Sequence, residues 1–227
     1  MEITFRCLPK FEATLPRPVP AANRLPDWLR SMPATAFSEL QKKEIHTAKQ
    51  CAPFIDAMTA GFLIPLAVDI KVENSKLTWD RNDLGGKPPV NQHEQVQVDG
   101  TPFSRVPVIR FNNFWTIETP PGYSLLVVHP INLHALPFIT ITGLVDTDKY
   151  VDNFINFPVH WCDVAFKGVL PKGTPIAQCI PIKRDDWTSC FGTIEGDAAN
   201  RLIEVSQAVA DEPGTYRRQF RAPKHWR

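Results

Sequence analysis

The side chains able to do chemistry gather in the second half of the chain. Asp146 and Asp148 lie one residue apart in Gly143-Leu144-Val145-Asp146-Thr147-Asp148-Lys149-Tyr150. Between two strands, aspartates at this spacing read first as turn residues that cap their own backbone. His129, His134 and His160, with Asp163, supply the residue types of a two-histidine, one-carboxylate iron site in a jelly-roll oxygenase. Their spacing works against it. On one regular strand His129 and His134 face opposite sides, and so do His160 and Asp163, so the site needs a bulge or a turn. Otherwise these are hydrogen-bonded or exposed histidines. Gln178 alternates with Ile176, Ala177 and Ile180 and reads as a strand residue that faces water or satisfies a buried carbonyl. The tail YRRQFRAPKHWR mixes arginine with Phe220 and Trp226. Such a mixture can clamp phosphate and stack a base, or pack a terminal arm onto a neighbouring subunit.

Cysteine use and charge narrow the setting. The five cysteines at 7, 51, 162, 179 and 190 are odd in number and lack CxxC spacing. Reduced thiols in a cytoplasmic protein are expected, without a zinc ribbon or disulfide framework. Cys162, Cys179 and Cys190 read as small buried hydrophobes. Lys and Arg total 25 against 24 Asp and Glu, so no net field favours nucleic acid or an anionic membrane. The N-terminus has no long apolar run behind a basic start and does not read as a secretory signal. Residues 119–145 carry no charge, but prolines at 120, 121, 130 and 137 would break a membrane-spanning helix, and two buried strands fit better.

The elements that must position these residues are mostly strands. Twenty-two prolines make long helices scarce, and 43% hydrophobic residues suffice for a core. Candidate strands fall at 61–72, 76–80, 105–111, 113–119, 123–129, 137–145, 157–166 and 176–184, with turn residues between them. The polar stretch 80–101 reads as an exposed loop or hairpin. Residues 26–33 can hold one helical turn that anchors Trp28 and Leu29. Residues 36–49 suit a short helix capped by Ser38. Residues 197–211 give the strongest helix signal, with Leu202, Val205 and Val209 at helical spacing and Asp197 at the start. The expected organisation is a proline-rich extension (1–50), a β core (51–187), and a C-terminal helix with a basic-aromatic arm (188–227).

Four stretches, read in order over about residues 57–184, resemble the motifs of the dUTPase and dCTP deaminase superfamily of all-β nucleotidohydrolases. They are Ala60-Gly61-Phe62 with Val68-Asp69-Ile70, Pro120-Pro121-Gly122-Tyr123, the Gly143 to Tyr150 run, and Pro171-Lys172-Gly173-Thr174-Pro175-Ile176-Ala177-Gln178. The longer run from Thr119 to Trp187 also resembles uncharacterised phage and bacterial proteins. The superfamily resemblance implies an all-β, jelly-roll-like, dUTPase-type β-barrel that assembles as a homotrimer. It implies a nucleotide-binding protein or nucleoside triphosphate hydrolase. Asp146 would be its general base, Gly143, Asp148 and Tyr150 would line the substrate, and Gln178 would reach a phosphate. Mg2+ is the cofactor such a site would take. This sequence also departs from the motifs. Leu63 stands where the metal-associated aspartate belongs, Pro130-Ile131-Asn132 replaces Arg-Ser-Gly, Lys149 is an extra residue before Tyr150, and Thr174-Pro175 replaces Asp-Arg. The departures favour, as the alternative, a non-catalytic accessory or assembly protein that reuses the scaffold, and the iron oxygenase is the third reading.

Overall fold

A computed structural model describes residues 1–80, 84–104 and 106–224. Two units are seen. The first is Met1–Arg24 with Ala60–Arg184, and the second is Leu25–Thr59 with Asp185–Arg227.

The first unit is built of strands whose inward residues recur every second position. Its strands are β1 (Thr4–Arg6), β2 (Val19–Pro20), β5 (Phe62–Pro65), β6 (Ile70–Glu73), β7 (Lys76–Thr78), β8 (Val90–Gln92), β9 (Val108–Phe111), β10 (Thr116–Glu118), β11 (Tyr123–Val128), β12 (Phe138–Thr140), β13 (Gly143–Val145), β14 (Phe157–Trp161), β15 (Gly168–Leu170) and β16 (Pro175–Lys183). Strands β3 (Thr35–Ser38) and β4 (Lys43–His46) belong to the second unit. In β14, Phe157, Val159 and Trp161 are buried while Pro158 and His160 are half-buried. In β6, Ile70 and Val72 point inward and Lys71 and Glu73 outward. This alternation commits one face of each strand to a common core. A five-stranded sheet runs β13-β11-β16-β5-β2, a four-stranded sheet β12-β14-β9-β8, and a three-stranded sheet β15-β6-β7. Phe111, Phe138, Phe157, Leu125, Ile70 and Cys179 lie at the centre of their shared core.

The second unit holds α1 (Asp27–Ser31), α2 (Ala52–Thr59), α3 (Asp197–Asp211) and the β3-β4 hairpin. Its α1 buries Leu29 as expected, while Trp28 stays 40% exposed and meets Phe54 edge-on. The helix expected over 36–49 is a hairpin instead. Thr35, Phe37 and Ile45 suit an extended pair, and the helical apolar face is too thin to compete. Ser38 caps a turn rather than a helix, its Oγ accepting from the Gln41 N–H at 3.1 Å. The helix read at 197–211 is present with those bounds.

The chain is mainly β, as the turn and strand pattern indicates. The expected 61–72 strand is two strands, broken between Pro65 and Ile70, and 137–145 likewise divides into β12 and β13. The 80–101 stretch is less exposed than its polarity suggested, since it contributes β8 and buries Leu84, Val90 and Val98. Residues 81–83 of that stretch and Arg105 of the expected 105–111 strand lie outside the described residues. Among the described residues no helix is long and apolar enough to cross a membrane, and the uncharged 119–145 stretch forms β11, β12 and β13.

Candidate functional site

Strands β11 and β16 pair antiparallel with Ser124 opposite Ile182, and the ladder continues through the Arg184 N–H, which donates to the Gly122 carbonyl at 2.8 Å. On the other edge of β11, strand β13 ends at Val145, and the chain turns at once. The N–H groups of Lys149 and Tyr150 donate to the Asp146 carbonyl at 3.0 and 2.9 Å. Three stretches remote in sequence, the Pro-Gly turn, the Asp-Thr-Asp turn and the end of β16, therefore meet at one end of the five-stranded sheet.

Arg184 organises this meeting point. Its Nη1 donates to Asp148 Oδ1 at 3.0 Å, to the Tyr123 carbonyl at 2.9 Å and to Ser124 Oγ at 3.0 Å, and lies 3.3 Å from Asp146 Oδ1. Its Nη2 completes a two-point contact with Asp148 Oδ2. Ser124 Oγ donates to Asp146 Oδ1 at 2.6 Å, and the Gly122 N–H donates to Asp148 Oδ2 at 2.9 Å. Beneath the turn, the fully buried Thr147 shares a 2.7 Å hydroxyl contact with Thr119. The two aspartates differ. The Asp148 side chain is 2% exposed and bound on both oxygens, whereas Asp146 is 62% exposed. Arg184 and the Gly122 N–H hold the Asp148 carboxyl down at a pKa of about 2.

That depression has a consequence for stability. Asp148 titrates lower when folded than the ordinary value of roughly 3.9. Its stabilising effect is complete above that value and is lost as pH falls toward about 2. Asp148→Asn is expected to flatten the acid limb of the stability profile. Urea midpoints compared from pH 5 down to pH 2 test this, and parallel limbs for variant and parent would refute it.

The other sequence candidates are placed differently. Gly143 lies at the exposed start of β13, opposite Val127, and Tyr150 is 45% exposed. Gln178 is elsewhere on β16 and only 1% exposed. Its Oε1 accepts from the Ile131 N–H at 3.0 Å and its Nε2 donates to the Ala60 carbonyl at 2.7 Å. Leu63 is a buried residue of β5 opposite Gln178. Ser124 and Arg184 were not read from the sequence. Arg184 sits in Lys183-Arg184-Asp185-Asp186, which looks like ordinary surface charge, and only the β11-β16 register brings it to Asp148.

Among the described residues no group of three or more His, Cys, Asp or Glu side chains could hold an ion, and both aspartates are already engaged by Arg184. The residues present do not suit Mg2+. The histidines do not converge either. His129 Nδ1 accepts from the Thr140 N–H at 3.2 Å, which leaves Nε2–H to donate to the Leu133 carbonyl at 2.8 Å, and burial lowers its pKa. Asp163 Oδ1 accepts from the Ala165 N–H at 3.0 Å. His134 is exposed, and His160 stacks on Phe103 at 5.3 Å.

In the tail, Arg221 makes a two-point contact with Asp56 at 3.0 and 2.6 Å, and Arg218 pairs with Glu212 at 3.2 Å. Trp226 lies outside the described residues. All five cysteines are free. Cys179 is buried, with its thiol pKa pushed up by burial, but Cys162 and Cys190 are exposed, against expectation. Cys162 follows the buried Trp161 and so falls on the outward side of the alternation, and Cys190 lies in the coil between β16 and α3.

No family model and no curated protein matches this chain. Among solved structures it is similar to a mutant dUTPase from phage phi11 of S. aureus. The identity is 13% and the TM-score 0.34, over 60% of this chain and 84% of that one. The phage enzyme's structure concerns the coordination of a structural Mg(II) ion.

Proposed function

We propose that this chain is a non-catalytic assembly protein that associates with further copies of itself through its C-terminal segment. One observation carries the reading. Residues 185–211 contain no buried side chain, yet Trp187, Phe191, Ile194, Leu202, Ile203, Val205 and Val209 are 40% to 98% exposed. We take exposed apolar side chains concentrated in one segment to mark an interaction site. A 15-residue helix is marginal alone in water and draws its stability from packing.

The spacing of the stripe suggests the partner. Ala198, Leu202, Val205 and Val209 follow a 4-3-4 repeat, the seam of a coiled coil, which packs against another helix of like repeat. Among the described residues α1 and α2 have 5 and 8 residues, too short to offer two heptads. The remaining candidate is α3 of a second copy. A homotrimer on a jelly-roll, dUTPase-type scaffold is the assembly that the motif resemblance implies.

The Asp146–Arg184–Asp148 arrangement agrees with this. The cation nearest the candidate base, Arg184, is engaged by two carboxylates and so is not free to hold a triphosphate. Gln178 is tied to backbone on both sides of its amide. A second reading, a retained nucleotide site with Asp146 as base, is kept by the exposure of that carboxylate and of Tyr150 beside it.

The deciding experiment measures mass and ligand response together. Sedimentation velocity of the full chain should show an oligomer, and the combined substitution Leu202→Asp, Val205→Asp and Val209→Asp should shift it to monomer while the melting point changes by only a few degrees. A monomeric parent, or a variant with unchanged mass, refutes the assembly. A melting-point rise with one deoxynucleoside triphosphate, with or without magnesium, would instead support the nucleotide site.

A further inference from the structure

The five-stranded and four-stranded sheets of the first unit meet at one histidine side chain. His129 directly follows β11 of the first sheet, and Thr140 ends β12 at the edge of the second. The Ile141 N–H donates to the Pro158 carbonyl of β14 at 2.9 Å. Successive amides of a strand point to opposite sides, so the Thr140 N–H points away from β14, off the edge of its sheet. His129 Nδ1 accepts it there at 3.2 Å. The Thr140 hydroxyl also bridges the sheets, donating to the Ile176 carbonyl of β16 at 2.5 Å. A backbone amide can only donate, so Nδ1 carries the lone pair and the ring proton sits on Nε2. Nε2–H then donates to the Leu133 carbonyl at 2.8 Å.

The same ring closes the turn that follows it. The Leu133 N–H donates to the Pro130 carbonyl at 3.1 Å, and Asn132 adopts a left-handed φ of +60°. The Ile131 N–H donates to Gln178 Oε1 at 3.0 Å, and with the turn in place Gln178 is 1% exposed. His129 is only half-buried, so protons reach it. A proton on Nδ1 replaces the acceptor by an N–H that faces the Thr140 N–H. The Thr140 hydroxyl oxygen, 3.5 Å from Nδ1, is too distant to be a good substitute acceptor. Among the described residues the titratable groups facing the ring are His134, on the turn, and His160, on β14, and a charge on either opposes a proton on His129. Strand β12 supplies Phe138, Ile139 and Thr140, none of which titrates, and Phe138 meets the ring edge-on at 6.1 Å. The adjoining stretch of β16, Ile176-Ala177-Gln178, carries no titratable group either.

We propose that His129 is a pH-operated latch on the 130–134 turn: the neutral ring holds the turn against β12, and protonation at Nδ1 releases it. Release withdraws Ile131 from Gln178 and uncovers that side chain's amide. The direction follows from the bonds. The closed turn needs an unprotonated Nδ1, whereas in the open turn the ring titrates near the ordinary histidine value of about 6.5. Burial lowers the His129 pKa in the folded chain. Closure is therefore complete above about pH 6.5 and is lost as pH falls toward the lowered value. The latch rests on neither the assembly reading nor the aspartate cluster.

Amide hydrogen exchange of the full chain, followed by NMR from about pH 7.5 to 4, reads the latch directly. Protection factors at Ile131 and Thr140 should fall below about pH 6.5, by up to about tenfold per pH unit, as one proton is taken up on opening. Amides of β9 and β14 should keep theirs. His129→Asn places an amide oxygen near the Nδ1 position and cannot titrate, so in that variant the two protection factors should stay level with pH. Level protection in the parent, a fall shared by the whole core, or an equal fall in His129→Asn would overturn the latch. If the variant does not fold, the parent decides through the Hε1 shift of its His129 ring. A ring that titrates at or above the ordinary value of about 6.5 overturns the latch, because closure then does not oppose the proton.

Discussion

Gly61→Ala is expected to destabilise the chain by roughly 4 kcal/mol or more, close to the whole stability of a domain at the low end of the usual range of about 5–15 kcal/mol. Gly61 has φ of +67°, in the left-handed region where a side chain costs about 1–2 kcal/mol. Space is the larger obstacle. A Cβ there would lie 2.0 Å from the Cys179 carbonyl oxygen, 2.9 Å from its carbon and 3.0 Å from Ile180 Cα. All three are backbone atoms of β16, in the middle of the five-stranded sheet, and none can rotate away as a side-chain tip would. Relief requires β5 and β16 to separate, which breaks the ladder that pairs Phe62 with Cys179 and Leu63 with Gln178. Gly143→Ala supplies the contrast, because a Cβ at that exposed strand position meets nothing within 4 Å. Urea unfolding followed by circular dichroism should show Gly61→Ala unfolded or nearly so and Gly143→Ala close to the parent. A Gly61→Ala midpoint near the parent's would refute the close-packing account.

Gly61 also shows what a sequence can and cannot reveal. Ala60-Gly61-Phe62 stood out as the opening of a motif, and the resemblance gave it a place beside a metal-associated aspartate. In this fold its visible work is steric: the glycine lets β5 come down onto the β16 backbone. Strand positions were legible because burial imposes a period of two, which residues such as Phe157, Val159 and Trp161 display openly. Helix α3 was legible because 3.6-residue periodicity and the stop at Glu212-Pro213-Gly214 need no tertiary context. The 36–49 hairpin was not, since a short segment with few apolar residues carries no decisive period. The Asp146 and Asp148 pair was noticed as a turn, and the turn is there. Its arginine was not foreseen, because Arg184 reaches Asp148 only through the register of β11 on β16, and register is a long-range property that local spacing does not encode.

Gln178→Leu should cost about 3 kcal/mol. The substitution keeps side-chain volume but strands two buried backbone groups, the Ala60 carbonyl and the Ile131 N–H, each worth roughly 1–3 kcal/mol when left unpaired. The gain from no longer burying an amide offsets part of that sum. Gln178→Glu retains an acceptor for Ile131 and, while protonated, a donor for the Ala60 carbonyl, so it should be milder than leucine at low pH and more damaging once the buried carboxyl is forced to ionise. The resemblance-derived role makes the opposite forecast. A glutamine that donates to a substrate phosphate would, when replaced by leucine, weaken nucleotide binding and leave unfolding almost untouched. Equilibrium unfolding and nucleotide-dependent thermal shift, measured on the same variant, distinguish the two.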